Sequence, residues 1–258
     1  MSARPPAPAG YERFDAGRAE VVALHAAVEA VREALRAGSL YAYAQAHPDA
    51  RPLVGRATAY AVPLPAGGGR VVVRHSRHGG LLAPLTGDRF LAPTRAPAEL
   101  EASLRLTSAG VPTPALVAYA LYPAGPLLRR ADVVTREVAD ARDLAAALAD
   151  TTDPAERRRA LAATARLLRQ LGASGARHPD LNARNVLLAG DDRTALVIDV
   201  DRVSFHAPHH PKVAAANLAR LTHSLRASRQ RLGLAVSDDE LRWLDAQANA
   251  PVAEREVA

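Results

Sequence analysis

Apolar positions early in the chain fall at spacings of three and four. Val21, Leu24, Val28, Val31 and Leu35 mark one face of an amphipathic helix predicted over 18–37, and Gly38 ends it. Residues 1–10 hold prolines in a polar context and read as a loose terminus. The period then changes. Leu53 to Val62 reads as a strand with Gly55 near its start, Gly67-Gly68-Gly69 as a turn, and Arg70 to Arg74 as the returning strand of a hairpin. Residues 78–92 read as loop. A helix is predicted over 97–109, with Pro97 in its first turn and Pro112 and Pro114 stopping it. Strands follow at 115–121 and 132–138.

Beyond that point the pattern turns helical. Asp153-Pro154-Ala155-Glu156 is a helix start, in which Asp153 caps, Pro154 takes the first helical position and Glu156 closes a capping box. The helix is predicted to reach about Leu171, with Leu161, Leu168 and Leu171 inward and Gly172 and Gly175 closing it. Val186-Leu187-Leu188 and Ala195 to Ile198 form a short hairpin across Gly190-Asp191-Asp192. Two more helices are predicted over 212–231 and 238–248. No internal repeat is visible. A helix, a strand-rich section and a helical section predict an α+β chain with a boundary near 137–142.

Composition narrows the function classes. The chain has 258 residues, 48% of them hydrophobic, enough to bury the core of a large domain or of two lobes. It has no cysteine, which removes disulfides and thiolate metal sites. The first residues hold no apolar core, so no secretory signal is expected, and no apolar run is long enough for a membrane span. The net charge is +6, carried almost wholly by arginine, since the single lysine is Lys212. Either an anionic partner or a GC-rich coding sequence accounts for that bias. Aromatics at 4% and the lack of a reading motif weigh against nucleic acid as partner.

The chemistry concentrates in RHPDLNARNVLLAG, residues 177–190, where His178, Asp180, Asn182 and Asn185 run straight into an apolar strand. Phosphoryl transfer needs a carboxylate to accept a hydroxyl proton and hard oxygen atoms to hold magnesium on the phosphates. Asp180 is the candidate base. Asn185 and Asp199 are the candidate metal ligands, brought together by the hairpin between them. His178 is expected to bond backbone and orient the loop, with Asn182 holding it. Singly, each of these residues reads equally well as a turn or cap. His206, His209 and His210 fit no common zinc spacing and read as a polar loop.

The pattern H-x-D-L-x-x-x-N, followed by a strand and an aspartate, resembles the catalytic loop and metal segment of protein-kinase-like folds. HPDLNARNVLL followed by VIDVDR resembles, more narrowly, the bacterial lipopolysaccharide kinase family. Gly55-Arg56-Ala57-Thr58 resembles its nucleotide loop, Val73-Arg74-His75 its strand segment, Glu99 its helix glutamate, and Asn217 to Leu221 its late helix. The resemblance covers roughly residues 50–230. It implies a protein-kinase-like two-lobe α+β fold: a terminal segment 1–40, a strand-rich N-lobe 41–138 that binds nucleotide, and a helical C-lobe 139–258 with the catalytic and metal loops.

It also implies ATP and Mg2+ as cofactors. Gly55, Arg56, Thr58, Arg74 and Glu99 would handle nucleotide, Asn185 and Asp199 the metal, and Asp180 the proton. The implied acceptor is a hydroxyl of Kdo, 3-deoxy-D-manno-octulosonic acid, on a lipid A precursor or a similar anionic glycolipid. The implied location is cytoplasmic, peripheral on the inner membrane.

Three departures qualify the resemblance to ordinary protein kinases. Arg74 stands where they carry a lysine, Asp201 replaces the glycine after the metal aspartate, and Ala57 replaces a loop glycine. The altered loop and the missing lysine suggest a pseudokinase that binds nucleotide without turnover, against which Asp180, Asn185 and Asp199 count, while residues 140–175 leave open a kinase for another small acceptor, such as an aminoglycoside-like sugar. Leu81, Leu82 and Leu85, rimmed by Arg77 and Arg89, either dip into an anionic leaflet or pack on the protein.

Overall fold

The computed structural model describes residues 6–53, 59–76, 90–91, 94–125, 128–190 and 194–250. The chain divides into two compact units: Met1–Glu101 with Pro114–Glu137, and Ala102–Thr113 with Val138–Ala258.

The first unit is built on one antiparallel sheet. Strands β1 (Tyr11–Ala16) and β2 (Ala19–Leu24) open it as a hairpin about Gly17, whose φ is 60°. This corrects the helix expected over 18–37, because its first third is strand. Val21, Val22 and Ala23 are all buried, and β2 pairs on both edges. An interior strand covered on both faces carries an unbroken apolar run, which spacing alone does not separate from a helix. The helix begins only at α1 (Val28–Ala34), between two 3-10 turns, and Gly38 at φ 96° ends that run as predicted. Ser39 then caps α2 (Leu40–Ala46) by accepting the Ala42 N–H.

Strands β3 (Arg51–Leu53), β4 (Ala59–Pro63), β5 (Arg70–His75), β6 (Phe90–Leu91), β7 (Leu116–Pro123) and β8 (Leu128–Arg136) complete the sheet. Its order is β1-β2-β7-β8-β5-β4-β3, with β6 beside β8. The single strand expected over 53–62 is therefore two paired strands, and the predicted β4–β5 hairpin forms. Val21, Ala23, Val71, Val73 and Val134 share one apolar cluster with Val28, Val31 and Leu40 of α1 and α2. Each of the valine and leucine side chains contributes about 1.5–3 kcal/mol when fully buried.

Helix α3 (Ala96–Ser108) starts in the first unit and ends in the second. Glycine stops it, not proline. Gly110 turns left-handed at φ 71°, the Val111 N–H reaches back to the Leu106 carbonyl, and the Gly110 N–H reaches the Thr107 carbonyl.

The second unit packs four helices around short strand pairs. These are α4 (Leu144–Asp150), α5 (Pro154–Ala173), α6 (Pro211–Leu232) and α7 (Asp238–Asn249). Asp153 caps α5 by accepting the Ala155 N–H. Glu156 does not close the expected capping box: it accepts the Thr151 hydroxyl, and the Asp153 N–H goes to Thr151 Oγ1. Gly172 does not end α5 either. It lies inside the helix, where an added Cβ would stand 3.0 Å from the Ala214 Cβ of α6. Gly175 turns the chain out at φ 70° into β10 (Ala176–Arg177), which pairs with β13 (Ser204–Phe205). Between them, β11 (Val186–Ala189) and β12 (Thr194–Val197) form the predicted hairpin, with β9 (Arg142–Asp143) on its outer edge. Leu161, Leu168, Leu171, Leu181, Leu188, Leu221 and Leu225 lie in one buried core.

Candidate active site

In the second unit, the chain between β10 and β11 is a polar loop fixed almost entirely through its backbone. His178 is 1% exposed. Its ring Nε2 bonds the Ile198 carbonyl at 3.1 Å, and its Nδ1 lies 3.2 Å from the Asp180 nitrogen. A carbonyl only accepts and an amide N–H only donates. The pairing therefore places the proton on Nε2 and leaves Nδ1 as acceptor, which is the neutral ring. Burial lowers the His178 pKa below 6.5 in the same sense, against the opposing pull of Asp199, Asp180 and Asp201.

Two asparagines converge on one carbonyl. The Asp180 C=O accepts from Asn182 Nδ2 at 2.9 Å and from Asn185 Nδ2 at 3.0 Å. Asn182 Oδ1 takes the Arg184 N–H at 2.9 Å, a local Asx-type closure. With the Asp180 main chain held this way, its side chain stays 39% exposed, and Oδ1 lies 3.2 Å from Arg220. Among the described residues, Asp180 Oδ2 and Asn185 Oδ1 take no hydrogen bond.

The hairpin places the remaining oxygen donor. Val186 pairs with Val197, and the Ile198 N–H reaches the Asn185 carbonyl at 3.0 Å. Asn185 and Asp199 thus stand across the open end of β11 and β12. Asp199 adopts φ 61° and ψ 50°, left-handed backbone that aspartate tolerates better than most residues, and leads into a 3-10 turn at Val200–Arg202. One amide oxygen and one carboxylate at a strand end form a hard, sparse donor set. It suits magnesium, which keeps several of its waters. Among the described residues no three histidine, cysteine or acidic side chains gather into a fuller cage.

In the first unit, Arg74 on β5 forms an ion pair with Glu99 in the first turn of α3. Glu99 is 5% exposed, so the Arg74 guanidinium compensates a carboxylate with little access to water. Val71 and Val73 face the apolar cluster, and alternation along β5 turns Arg74 to the other side of the sheet. The remaining nucleotide-loop candidates, Gly55, Arg56 and Thr58, lie outside the described residues, as does the Leu81–Leu85 loop.

The sequence placed Asn217 to Leu221, with Ser224 and Leu225, on the late helix α6 but gave them no part in holding the loop. Asn217 is fully buried. Its Oδ1 accepts the His178 N–H at 3.0 Å, and its Nδ2 donates to the Ala176 carbonyl at 2.8 Å. Ser224 Oγ accepts the Ala183 N–H at 3.1 Å. Asn217, Arg220 and Ser224 share one helix face through spacings of three and four. A buried polar residue among Leu218, Leu221 and Leu225 was the available signal.

A strand-rich unit bearing a paired cation, followed by a helical unit with this loop and hairpin, defines a protein of the kinase-like fold class. The sequence profile described as the lipopolysaccharide kinase (Kdo/WaaP) family matches residues 54–248. The chain belongs to that family, and it is a kinase by that membership. It is 34% identical over 184 residues to a protein of Haemophilus influenzae (strain 86-028NP) named 3-deoxy-D-manno-octulosonic acid kinase, covering 68% of this chain and 73% of that one. A protein of the same name from Stenotrophomonas maltophilia (strain K279a) is 32% identical over 204 residues, covering 75% and 78%. Among solved structures, one described as WaaP in complex with acyl carrier protein is similar at 21% identity and a TM-score of 0.46, over 82% of this chain and 92% of that one.

Proposed function

We propose that this lipopolysaccharide kinase transfers the γ-phosphoryl group of ATP to a hydroxyl of Kdo on a lipid A precursor. The observation that carries the reading is the Asp180 carboxylate: its main chain is pinned by two asparagines, and its Oδ2 is open beside the hairpin end that bears Asn185 and Asp199. Asp180 accepts the proton of the acceptor hydroxyl as that oxygen bonds to the γ-phosphorus and the bond to the ADP oxygen breaks. Asn185 and Asp199 hold magnesium, which when bound supplies positive charge to the phosphate oxygens. Arg74, oriented by Glu99, binds phosphate with the planar fork that a lysine lacks. Gly55, Arg56 and Thr58 complete the nucleotide contacts. His178 and Asn182 hold the loop. The names of the relatives support Kdo as acceptor. Among the described residues no helix is long and apolar enough to cross a membrane. A glycolipid acceptor then calls for peripheral contact with the cytoplasmic face of the inner membrane.

The test is transfer of labelled phosphate from ATP with magnesium, comparing a Kdo–lipid A precursor, free Kdo and a generic protein acceptor. Label is expected on the Kdo lipid, lost with EDTA and in Asp180→Asn. Label on another acceptor alone would replace the Kdo assignment. ATP binding without any transfer would make the protein a pseudokinase.

A further inference from the structure

Arg220 lies outside the set that phosphoryl transfer requires, yet it is the residue paired with the candidate base. Its NH2 nitrogen meets Asp180 Oδ1 at 3.2 Å through one contact, between side chains 37% and 39% exposed. A single exposed contact of this kind contributes little to stability. Positioning of Asp180 does not require it either, because the loop main chain is already held by Asn182, Asn185, His178, Asn217 and Ser224.

The arrangement makes sense as a resting state. Arginine carries five N–H donors, and among the described residues the Arg220 side chain has Asp180 as its one partner. Arg177 and Arg184, both exposed and without an ion pair among the described residues, flank the same loop. Asp180 Oδ2 remains open for a hydroxyl. Asp180 and Arg220 meet at 3.2 Å, close enough for one small polyol to offer a hydroxyl to the first and an anion to the second.

We infer that Arg220 is the acceptor-specificity residue: it leaves Asp180 to bind a carboxylate of the acceptor beside the reacting hydroxyl. The inference rests on the phosphotransfer reading above. It excludes a cationic, aminoglycoside-like acceptor, which the three arginines repel.

The experiment compares the Kdo–lipid A precursor with the same compound carrying a methyl ester on the Kdo carboxyl, using wild type, Arg220→Gln, Arg220→Lys and the exposed control Arg226→Gln. The wild type is expected to favour the acid by about 10- to 100-fold in kcat/KM, the range of a charge-assisted hydrogen bond. Arg220→Gln falls to the ester level with the acid and is unchanged with the ester, while its KM for ATP stays constant. Arg220→Lys recovers part of the preference, and Arg226→Gln matches wild type. Equal rates on acid and ester in the wild type overturn the inference while leaving the phosphotransfer reading intact. An equal loss on both compounds in Arg220→Gln does the same, and makes Arg220 structural. If the wild type transfers no phosphate to either compound, the phosphotransfer reading fails. Calorimetric binding of acid and ester to wild type and Arg220→Gln then decides the inference by the same preference.

Discussion

The loop of the helical unit and the cation of the sheet unit are held by different physics. Residues 178–185 are fixed by hydrogen bonds between side-chain amides, a neutral imidazole and the main chain, with partners on three segments. Such bonds are short-ranged, directional and barely affected by salt. Arg74 is held by charge, against a carboxylate with almost no access to water. The first arrangement is over-determined, so losing one bond shifts little. The second rests on opposite charges at a buried carboxylate, and removing one of them leaves the other charge poorly compensated.

Four variants sharpen that contrast. Removing the proposed base should have the largest effect. Asp180→Asn should lower kcat for phosphate transfer by about 10²–10⁴-fold, the usual range for a general base, with magnesium–ATP binding intact by calorimetry. Next is the charge-held site. Glu99→Gln should raise the KM for ATP about tenfold, because Arg74 loses the carboxylate that orients it. An ATP KM that ignores this change would remove Arg74 from the nucleotide site. Asn217→Leu keeps the branched shape, though it is bulkier, and strips partners from the His178 N–H and the Ala176 carbonyl. It should cost about 2–4 kcal/mol of stability in urea unfolding. A cost near zero would show that the loop does not need its anchor on α6.

The smallest effect is on pH. Because burial lowers the His178 pKa below 6.5, the folded protein binds that proton more weakly than the unfolded chain. Its contribution is complete above pH 6.5 and is lost progressively as pH falls below that value toward the lower folded pKa. The midpoint of thermal unfolding should therefore drop on acidification, and His178→Gln should shrink that drop. An unchanged slope in the variant would assign the acid sensitivity elsewhere.

The same contrast explains what the sequence made legible. The loop and its hairpin are local. Asn182 and Asn185 reach a carbonyl two and five residues away, and Asn185 meets Ile198 across a short turn, so spacing alone brings these residues together. The helices α5, α6 and α7 were legible because their caps, prolines and leucine spacing are local too. What escaped depended on distant chain. Val21 to Ala23 form a strand only because β1 and β7 flank them. Glu156 turned to Thr151 instead of its own helix start. Arg220 and Asn217 lie about forty residues beyond the groups they hold, on a helix whose face is fixed by packing. Gly55, Arg56 and Thr58 rest on sequence alone, since they fall outside the described residues.

Gly175 gives the excursion from β10 to β13 its unity. An added Cβ there would stand 2.3 Å from the His206 carbonyl oxygen and 2.7 Å from that of Ala207, and the His206 N–H returns to the Gly175 carbonyl at 2.9 Å. Two passes of main chain touch with no side chain between them, where the excursion leaves and where it comes back. Loop, hairpin and Asp199 are therefore tied off at a common neck and are expected to open together. In native-state hydrogen exchange, the slow amides of 176–190 and 194–205 should share one opening free energy, and Gly175→Ala should lower it for all of them; separate opening of the hairpin would break that expectation.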